Sequence, residues 1–178
     1  MDNVFLQGKK HSAFSWDSLG DIREGRGDLG EEMPVLVYRL MQYTMLSVMS
    51  DAMGEEKAND YFRAAGRLAG SEFAKNCLMA RGSLADFIAE LQLRLRELKI
   101  CVFRLEEHNP VTGEIVVTAA QDLDCSGLPV TNETVCSYDE GFIAGVFEDF
   151  AGKTYDVKEI DCWANGDRVC RFKGAPLA

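Results

Sequence analysis

The sequence lacks three features that would place it in common classes of protein. It has no uninterrupted run of about 18 apolar residues, so no transmembrane helix is expected. Its first residues do not combine an apolar segment with a small-residue cleavage site, so we predict no secretory signal and a cytoplasmic location. Basic residues are also few, since the chain has 19 lysines and arginines and 29 acidic residues, which gives a net charge of −10. A chain this acidic repels phosphate, which argues against binding to nucleic acid or anionic membranes.

The composition is that of one globular domain. The 178 residues, 47% of them hydrophobic, suffice for one domain with a core and are few for two. Residues 1–32 are polar and rich in glycine, and we predict a tail or wrapping segment there. Residues 33–174 are predicted to form the folded domain.

Hydrophobic periodicity predicts three helices in the first part of this domain. They are expected over residues 33–53, 55–78 and 83–98. Ser83 is suited to cap the third of them. Gly66 and Gly70 give the second helix a face of small residues, which predicts a close approach by another helix.

The second part of the domain changes to the alternation that is typical of strands. Strands are expected over residues 100–106, 114–120, 154–161 and 168–172, with a fourth helix over residues 138–150. Turn residues at Asn109-Pro110 and Asn165-Gly166 pair these strands as two hairpins. The predicted fold class is therefore α+β, with N-terminal helices packed on an antiparallel sheet made of two hairpins.

Six cysteines carry the strongest chemical signal, and four of them fall in the last 54 residues. Cys162 and Cys170 flank the Asn165-Gly166 turn, and a three-residue hairpin loop would place both side chains on one face. Cys136 precedes the fourth helix, where amide groups and the helix dipole favour a thiolate. Glu159, three residues before Cys162, can add an oxygen ligand.

Three thiolates and one carboxylate suit tetrahedral zinc, and four protein ligands make a closed structural site. We therefore predict zinc bound by Cys136, Glu159, Cys162 and Cys170. Cys125 and, less strongly, Asp161 are rival ligands. Buried free thiols without any metal are the other interpretation.

The same segments carry a family resemblance. Residues 136–145 read Cys-Ser-Tyr-Asp-Glu-Gly-Phe-Ile-Ala-Gly, and residues 159–172 read Glu-Ile-Asp-Cys-Trp-Ala-Asn-Gly-Asp-Arg-Val-Cys-Arg-Phe. With the Gly66-Arg-Leu-Ala-Gly70 helix, they resemble the 4-vinyl reductase domain family, over about residues 30–174. The resemblance implies a homodimer and the fold shared by nitric-oxide-sensing haem domains and Golgi-transport assembly proteins. It also implies zinc held by three cysteines and one glutamate, since the spacing in the family's phenol sensors matches the ligands predicted here.

The first predicted helix indicates where a ligand would bind. Met41, Met45 and Met49 recur at four-residue spacing, and flexible thioethers suit a pocket for an apolar or aromatic ligand. The alternative interpretation of this methionine spacing is ordinary packing in the core or in a dimer interface. Tyr38 and Arg39 are predicted to contribute polar contacts to that ligand. For Arg39 the alternative is an ion pair with a neighbouring helix or a side chain that reaches solvent.

The predicted function is a zinc-containing domain that binds a small apolar or aromatic ligand as a sensor or carrier. The resemblance also implies an alternative, reduction of a tetrapyrrole vinyl group. That reaction needs a hydride donor, and the sequence shows no nucleotide or flavin site, so we expect no catalytic residues. A dimeric assembly protein without a small ligand is the second alternative. His11 and His108, the two histidines, are expected in tail and turn, which disfavours haem and phenol as ligands.

Overall fold

The structure is a computed structural model that describes residues 13–177, so His11 and the start of the predicted tail lie outside the described residues. The chain divides into two compact units, with the boundary after Glu32. In the first unit, a 3-10 helix over Trp16–Leu19 precedes the short helix α1 (Ile22–Gly25). The Asp21 side chain caps α1 by accepting a hydrogen bond from the Glu24 amide at 2.9 Å.

Four longer helices form in the second unit, and they confirm the four predicted helices to within two residues at each end. They are α2 (Val35–Met53), α3 (Glu55–Cys77), α4 (Leu84–Glu97) and α5 (Ser137–Ala151). The predicted cap of α4 is confirmed, because the Ser83 hydroxyl accepts a hydrogen bond from the Asp86 amide at 3.1 Å. Among residues 13–177, no helix has the length and apolar character needed to cross a membrane.

The strands form one four-stranded antiparallel sheet in the order β1-β2-β4-β3. They are β1 (Val102–His108), β2 (Ile115–Ala120), β3 (Tyr155–Asp161) and β4 (Cys170–Pro176). Two hairpins, β1-β2 and β3-β4, join through the pairing of β2 with β4. The sheet contributes Phe103, Val117 and Phe172 to a buried core, and the helices contribute Leu91 and Phe147. The predicted α+β class with two antiparallel hairpins is confirmed.

The connection between β3 and β4 is longer than the predicted three-residue loop, and that prediction was wrong. It spans residues 162–169 and contains a 3-10 turn over Trp163–Asn165. The turn folds on its own contacts, because the Asn165 side chain accepts from the Cys162 amide at 3.2 Å and the Asp167 amide donates to the Cys162 carbonyl at 3.0 Å. Gly166 follows at φ +105°, a backbone conformation that suits glycine. The loop still brings both cysteines to the same end of the hairpin.

The close helix approach predicted from Gly66 and Gly70 is confirmed, and its partner is α5. A Cβ on Gly66 would lie 2.0 Å from the Tyr138 carbonyl oxygen, and one on Gly70 would lie 2.1 Å from the Phe142 carbonyl oxygen. The contact is reciprocal, because Gly141 and Gly145 of α5 meet the α3 backbone at 2.0 and 2.1 Å in the same way. The two backbones are therefore in direct contact, which only glycine allows.

Two glutamates of α5 fix this helix to β3, the strand at one edge of the sheet. Glu140 Oε1 accepts a hydrogen bond from the Glu159 amide at 2.9 Å. Glu148 Oε1 accepts from the Tyr155 amide at 2.8 Å. Arg63 donates to Glu140 Oε2 at 2.5 Å and so ties α3 to the same group. These contacts satisfy edge amides that would otherwise be free to pair with another strand.

Candidate metal centre and interior cavity

Four buried cysteines converge at one end of the sheet. Cys125 lies in the loop after β2, Cys136 precedes α5, Cys162 follows β3 and Cys170 begins β4. Each is at most 1% exposed, and their four sulfur atoms lie within 4.8 Å of one another. The structure therefore brings together Cys136, Cys162 and Cys170, as the sequence predicts, and adds Cys125. These four cysteines could hold a metal ion.

The cluster has nearly the dimensions of a tetrahedral thiolate site. Zinc–sulfur bonds of about 2.3 Å place neighbouring sulfurs roughly 3.8 Å apart. Cys136 Sγ lies 3.8 Å from Cys162 Sγ and 3.9 Å from Cys170 Sγ. Cys125 Sγ and Cys170 Sγ are closer, at 2.9 Å, so that pair has to open by about 1 Å around an ion. With that adjustment the four donors fit a thiophilic metal.

The four thiols are hydrogen-bonded to one another, and these hydrogen bonds shift the pKa values of Cys136 and Cys162. Hydrogen bonds to the Cys162 sulfur from Cys125, Cys136 and Cys170 lower the pKa of the Cys162 thiol. Hydrogen bonding within the same cluster, followed by burial, raises the pKa of the Cys136 thiol. One sulfur is thus stabilised as a thiolate by its neighbours. A bound metal would stabilise all four thiolates instead.

Glu159 lies against this cluster, at its Cys136 side. Its Oε2 accepts a hydrogen bond from the Cys136 amide at 3.0 Å. Its Oε1 is buried and has no hydrogen-bond partner within residues 13–177. Burial raises the pKa of the Glu159 carboxyl to about 8. Asp161, the weaker rival ligand, pairs instead with Arg171.

Polar residues of α2 hold the loop that carries Cys125. The Tyr38 hydroxyl donates to Asp124 Oδ1 at 2.8 Å, and Gln42 Nε2 donates to Asp124 Oδ2 at 2.8 Å. Asp124 is only 3% exposed, and its neighbour Asp122 accepts the Asp124 amide at 2.7 Å. Burial raises the pKa of Asp124, although the hydrogen bonds from α2 oppose that rise. A buried carboxylate that is bonded in this way fixes the backbone beside Cys125.

The α2 residues that the sequence predicts for ligand binding contact the Cys125 loop or lie toward the surface. Arg39 donates to the carbonyls of Leu123 at 2.7 Å and Ser126 at 2.9 Å, so it also holds the Cys125 loop. Met41 and Met45 are 56% and 52% exposed, and Met49 is half-buried. None of the five predicted residues (Tyr38, Arg39, Met41, Met45 and Met49) lines the interior cavity described next. The polar side of α2 thus faces the Cys125 loop, while Met41 and Met45 lie on its exposed side.

A small cavity lies between α4, α5 and the sheet, and two of its lining residues, Asp122 and Asp139, lie beside Cys136 of the cysteine cluster. Its volume is about 20 Å³, which is room for about one water molecule. The walls are aliphatic and aromatic, and they include Leu91, Leu95, Phe103, Phe142, Phe147 and Phe172. Two acids, Asp122 and Asp139, also line it. Burial and neighbouring acids raise the pKa of Asp139 well above its usual range and that of Asp122 to about 7.

Sequence comparison finds a family for the C-terminal part of the chain. Residues 115–176 match the model of the V4R domain. An uncharacterized protein of Methanocaldococcus jannaschii is 26% identical over 146 residues, which cover 82% of this chain and 80% of the relative. The match to the family model contains β2, α5, β3 and β4 and all four clustered cysteines.

Solved structures show the same fold at low sequence identity. The phenol-responsive sensory domain of the transcription activator PoxR, solved with phenol, has a TM-score of 0.61 at 18% identity and covers 83% of this chain and 76% of its own. A trafficking protein particle complex subunit 3 from Naegleria fowleri, covalently bound to palmitic acid, has a TM-score of 0.59 at 10% identity, covering 82% of this chain and 98% of its own. The resemblance predicted from the cysteine pattern is confirmed by the match of residues 115–176 to the V4R domain model.

Proposed function

We propose that this domain binds a small apolar or aromatic molecule in the cavity between α4, α5 and the sheet. The cavity carries the proposal, because apolar side chains of the helices and the sheet of the second unit form most of its wall. The PoxR sensory domain supports it, since that domain shares the fold and was solved with phenol. In this role the domain acts as a sensor or carrier and needs no catalytic group.

A zinc ion bound by Cys125, Cys136, Cys162 and Cys170 is the second part of the proposal. Four thiolates suit zinc in a closed, structural site. The zinc-binding cysteines are also close in sequence to the cavity wall. The lining residues Asp122, Asp139 and Phe172 each lie within three residues of a clustered cysteine. Zinc would thus hold the segments that form one end of the cavity. In this arrangement Glu159 accepts the Cys136 amide and is not a ligand, which differs from the prediction made on sequence.

Binding has to enlarge the cavity, since it holds about one water molecule. Ile100 and Phe142 are the lining residues to move first, because both are half-buried, whereas Leu91 and Phe172 are fully enclosed. The apolar wall favours ligands without a charge. Benzene and indole are suitable probes of this size and character.

Cavity-filling variants test the proposal. We expect benzene or indole to raise the melting temperature of the wild-type protein, since a ligand at 100 times its Kd stabilises by about 2.7 kcal/mol. Ala119→Leu puts three more carbon atoms against the cavity, and it should abolish the rise. Ala85→Leu makes the same change at an exposed position of α4 and should preserve it. Ala119→Val is the smaller filling if the leucine variant does not fold. An equal rise in the filled variants would place the probe elsewhere.

The exposed apolar face of α2 supports a homodimer. Its members are Leu36, Leu40, Met41, Met45 and Val48, each at least 52% exposed. An apolar surface of this extent on one helix is typical of an interaction site. We propose that a second copy of the chain covers it. Light scattering after size exclusion should show a dimer for the wild type and for Leu93→Glu on α4, and a monomer for Leu40→Glu. A dimer that survives Leu40→Glu would exclude this face.

The same face favours the second candidate function, a dimeric assembly protein without a small ligand. The two functions differ in the probe experiment, because an assembly protein predicts no shift with benzene or indole at any concentration. Reduction of a tetrapyrrole vinyl group stays a prediction from the family resemblance. Turnover of a divinyl tetrapyrrole with reduced nicotinamide would favour that alternative.

A further inference from the structure

A second group of ligand atoms lies beside the four-cysteine cluster. One oxygen of Asp122, one oxygen of Asp139 and the Cys136 sulfur lie within 4.8 Å of one another. Asp122 is 3% exposed. Asp139 Oδ2 is buried and has no hydrogen-bond partner within residues 13–177. A buried carboxylate oxygen without a partner costs free energy, so this oxygen calls for a group that is not part of the chain.

The interior cavity provides room for such a group. Asp122 and Asp139 both line it, and its volume of about 20 Å³ accommodates an ion with little rearrangement. Asp122 is already oriented, because its Oδ1 accepts the amides of Asp124 at 2.7 Å and Cys125 at 3.3 Å. These amides fix the orientation of the Asp122 side chain.

The electrostatics of the site call for a cation. The groups that act on Asp139 through their charge are acidic, namely Asp122, Asp124, Glu159 and Cys170. Arg39, the cation that acts on Asp124, uses its guanidinium on the backbone carbonyls of Leu123 and Ser126. A zinc ion with four thiolate ligands would itself carry two net negative charges. That charge, close to Asp139, would favour a cation at the neighbouring group of ligand atoms as well.

We propose that Asp122, Cys136 and Asp139 bind a second divalent transition-metal ion, with the Cys136 sulfur shared between the two ions. Two carboxylate oxygens and one thiolate suit zinc or iron(II). Three protein ligands leave a coordination position open, as in metal sites that bind water or a small molecule. That position is on the cavity side, because both aspartates line the cavity. The inference goes beyond the proposed function, since it adds a metal to the wall of the ligand site.

Counting metal ions tests this directly. Tag-free protein is depleted of metal and reconstituted with zinc against a competing chelator, and native mass spectrometry counts the ions in each chain. We expect two ions for the wild type and one for Asp139→Asn. Asp149→Asn removes a carboxylate from the same helix, where it pairs with Arg81 away from the cavity, and should keep two ions. Melting curves verify that each variant is folded.

The outcomes separate this inference from the four-cysteine site. One ion in the wild type, or two ions in Asp139→Asn, would overturn the second site and leave the first intact. No ion in the wild type would overturn both. Cobalt(II) provides an independent readout, because the second equivalent should add visible absorption in the wild type and none in Asp139→Asn. Identical cobalt titrations for the two proteins would also contradict the inference.

Discussion

Replacing Gly70 with alanine should destabilise the domain, although alanine is the better helix former. The intrinsic helix preference favours alanine by about 1 kcal/mol. Against this, a Cβ at position 70 would lie 2.1 Å from the Phe142 carbonyl oxygen and 2.9 Å from its carbon. The oxygen contact is about 1.3 Å short of ordinary van der Waals distance, and the obstacle is backbone that no rotamer change removes.

The two helices have to separate, and α5 is not free to move. Glu140 and Glu148 tie it to β3, and Cys136 stands at its first turn. Overpacking of this kind costs roughly 1–3 kcal/mol or more. With the helix preference deducted, we expect a net loss of about 2 kcal/mol. For a domain of this size, that lowers the melting temperature by roughly 4–8 °C.

Chemical denaturation and thermal melting of Gly70→Ala measure this loss. Gly82→Ala is the matched control, because a Cβ there would meet no atom within 4 Å and the backbone of Gly82 has no positive φ. The control should melt within about 2 °C of the wild type. A Gly70→Ala protein as stable as the control would refute the direct contact between the α3 and α5 backbones.

Three further predictions concern the metal centre and its support. Cys125→Ser should lower zinc content measured by mass spectrometry, whereas Glu159→Gln should leave it within twofold of wild type; the reverse result would restore Glu159 as the ligand. Tyr38→Phe removes a hydrogen bond to the buried Asp124 carboxylate and should cost about 1–2 kcal/mol in urea unfolding, with an unchanged midpoint counting against that contact. In the metal-free protein, the free energy of unfolding should fall as pH rises from 4.5 to about 8, because the folded state keeps the Glu159 proton that the unfolded state has lost. That part of the pH dependence, at most about 1.4 kcal/mol per pH unit, should disappear in Glu159→Gln, and its persistence there would assign it to another group.

Local signals in the sequence predicted most of the fold. The start of α4 is set by Ser83, which contacts residues next to it in the chain and is therefore visible in the sequence. The spacing of Gly66 and Gly70 likewise indicates a helix contact, because glycine has no side chain to keep another helix away. Three cysteines of the cluster were also predictable, because they flank a turn or begin a helix. The sequence makes Cys125 only a rival ligand, because Cys125 lies in an irregular loop. The position of that loop depends on a contact between Tyr38 and Asp124, which are far apart in the sequence.

The orientation of α2 could not be predicted from periodicity. The helix is apolar on most sides, so the pattern does not say which side faces inward. Its contacts decide the matter, because Gln42 is buried against Asp124 while Met41 and Met45 are exposed. The length of the β3–β4 loop escaped prediction for a similar reason. Asn165 and Gly166 alone predict a tight turn, whereas the loop folds through hydrogen bonds to Cys162 and from the Thr131 amide to the Ala164 carbonyl.

Anomalous diffraction at the zinc edge, on crystals of the zinc-reconstituted protein, tests the role of the four cysteines most directly. We predict a peak about 2.3 Å from the sulfurs of Cys125, Cys136, Cys162 and Cys170, with the Glu159 carboxylate still on the Cys136 amide. A peak bound by Glu159 in place of Cys125, or no peak among the four sulfurs, would contradict the account.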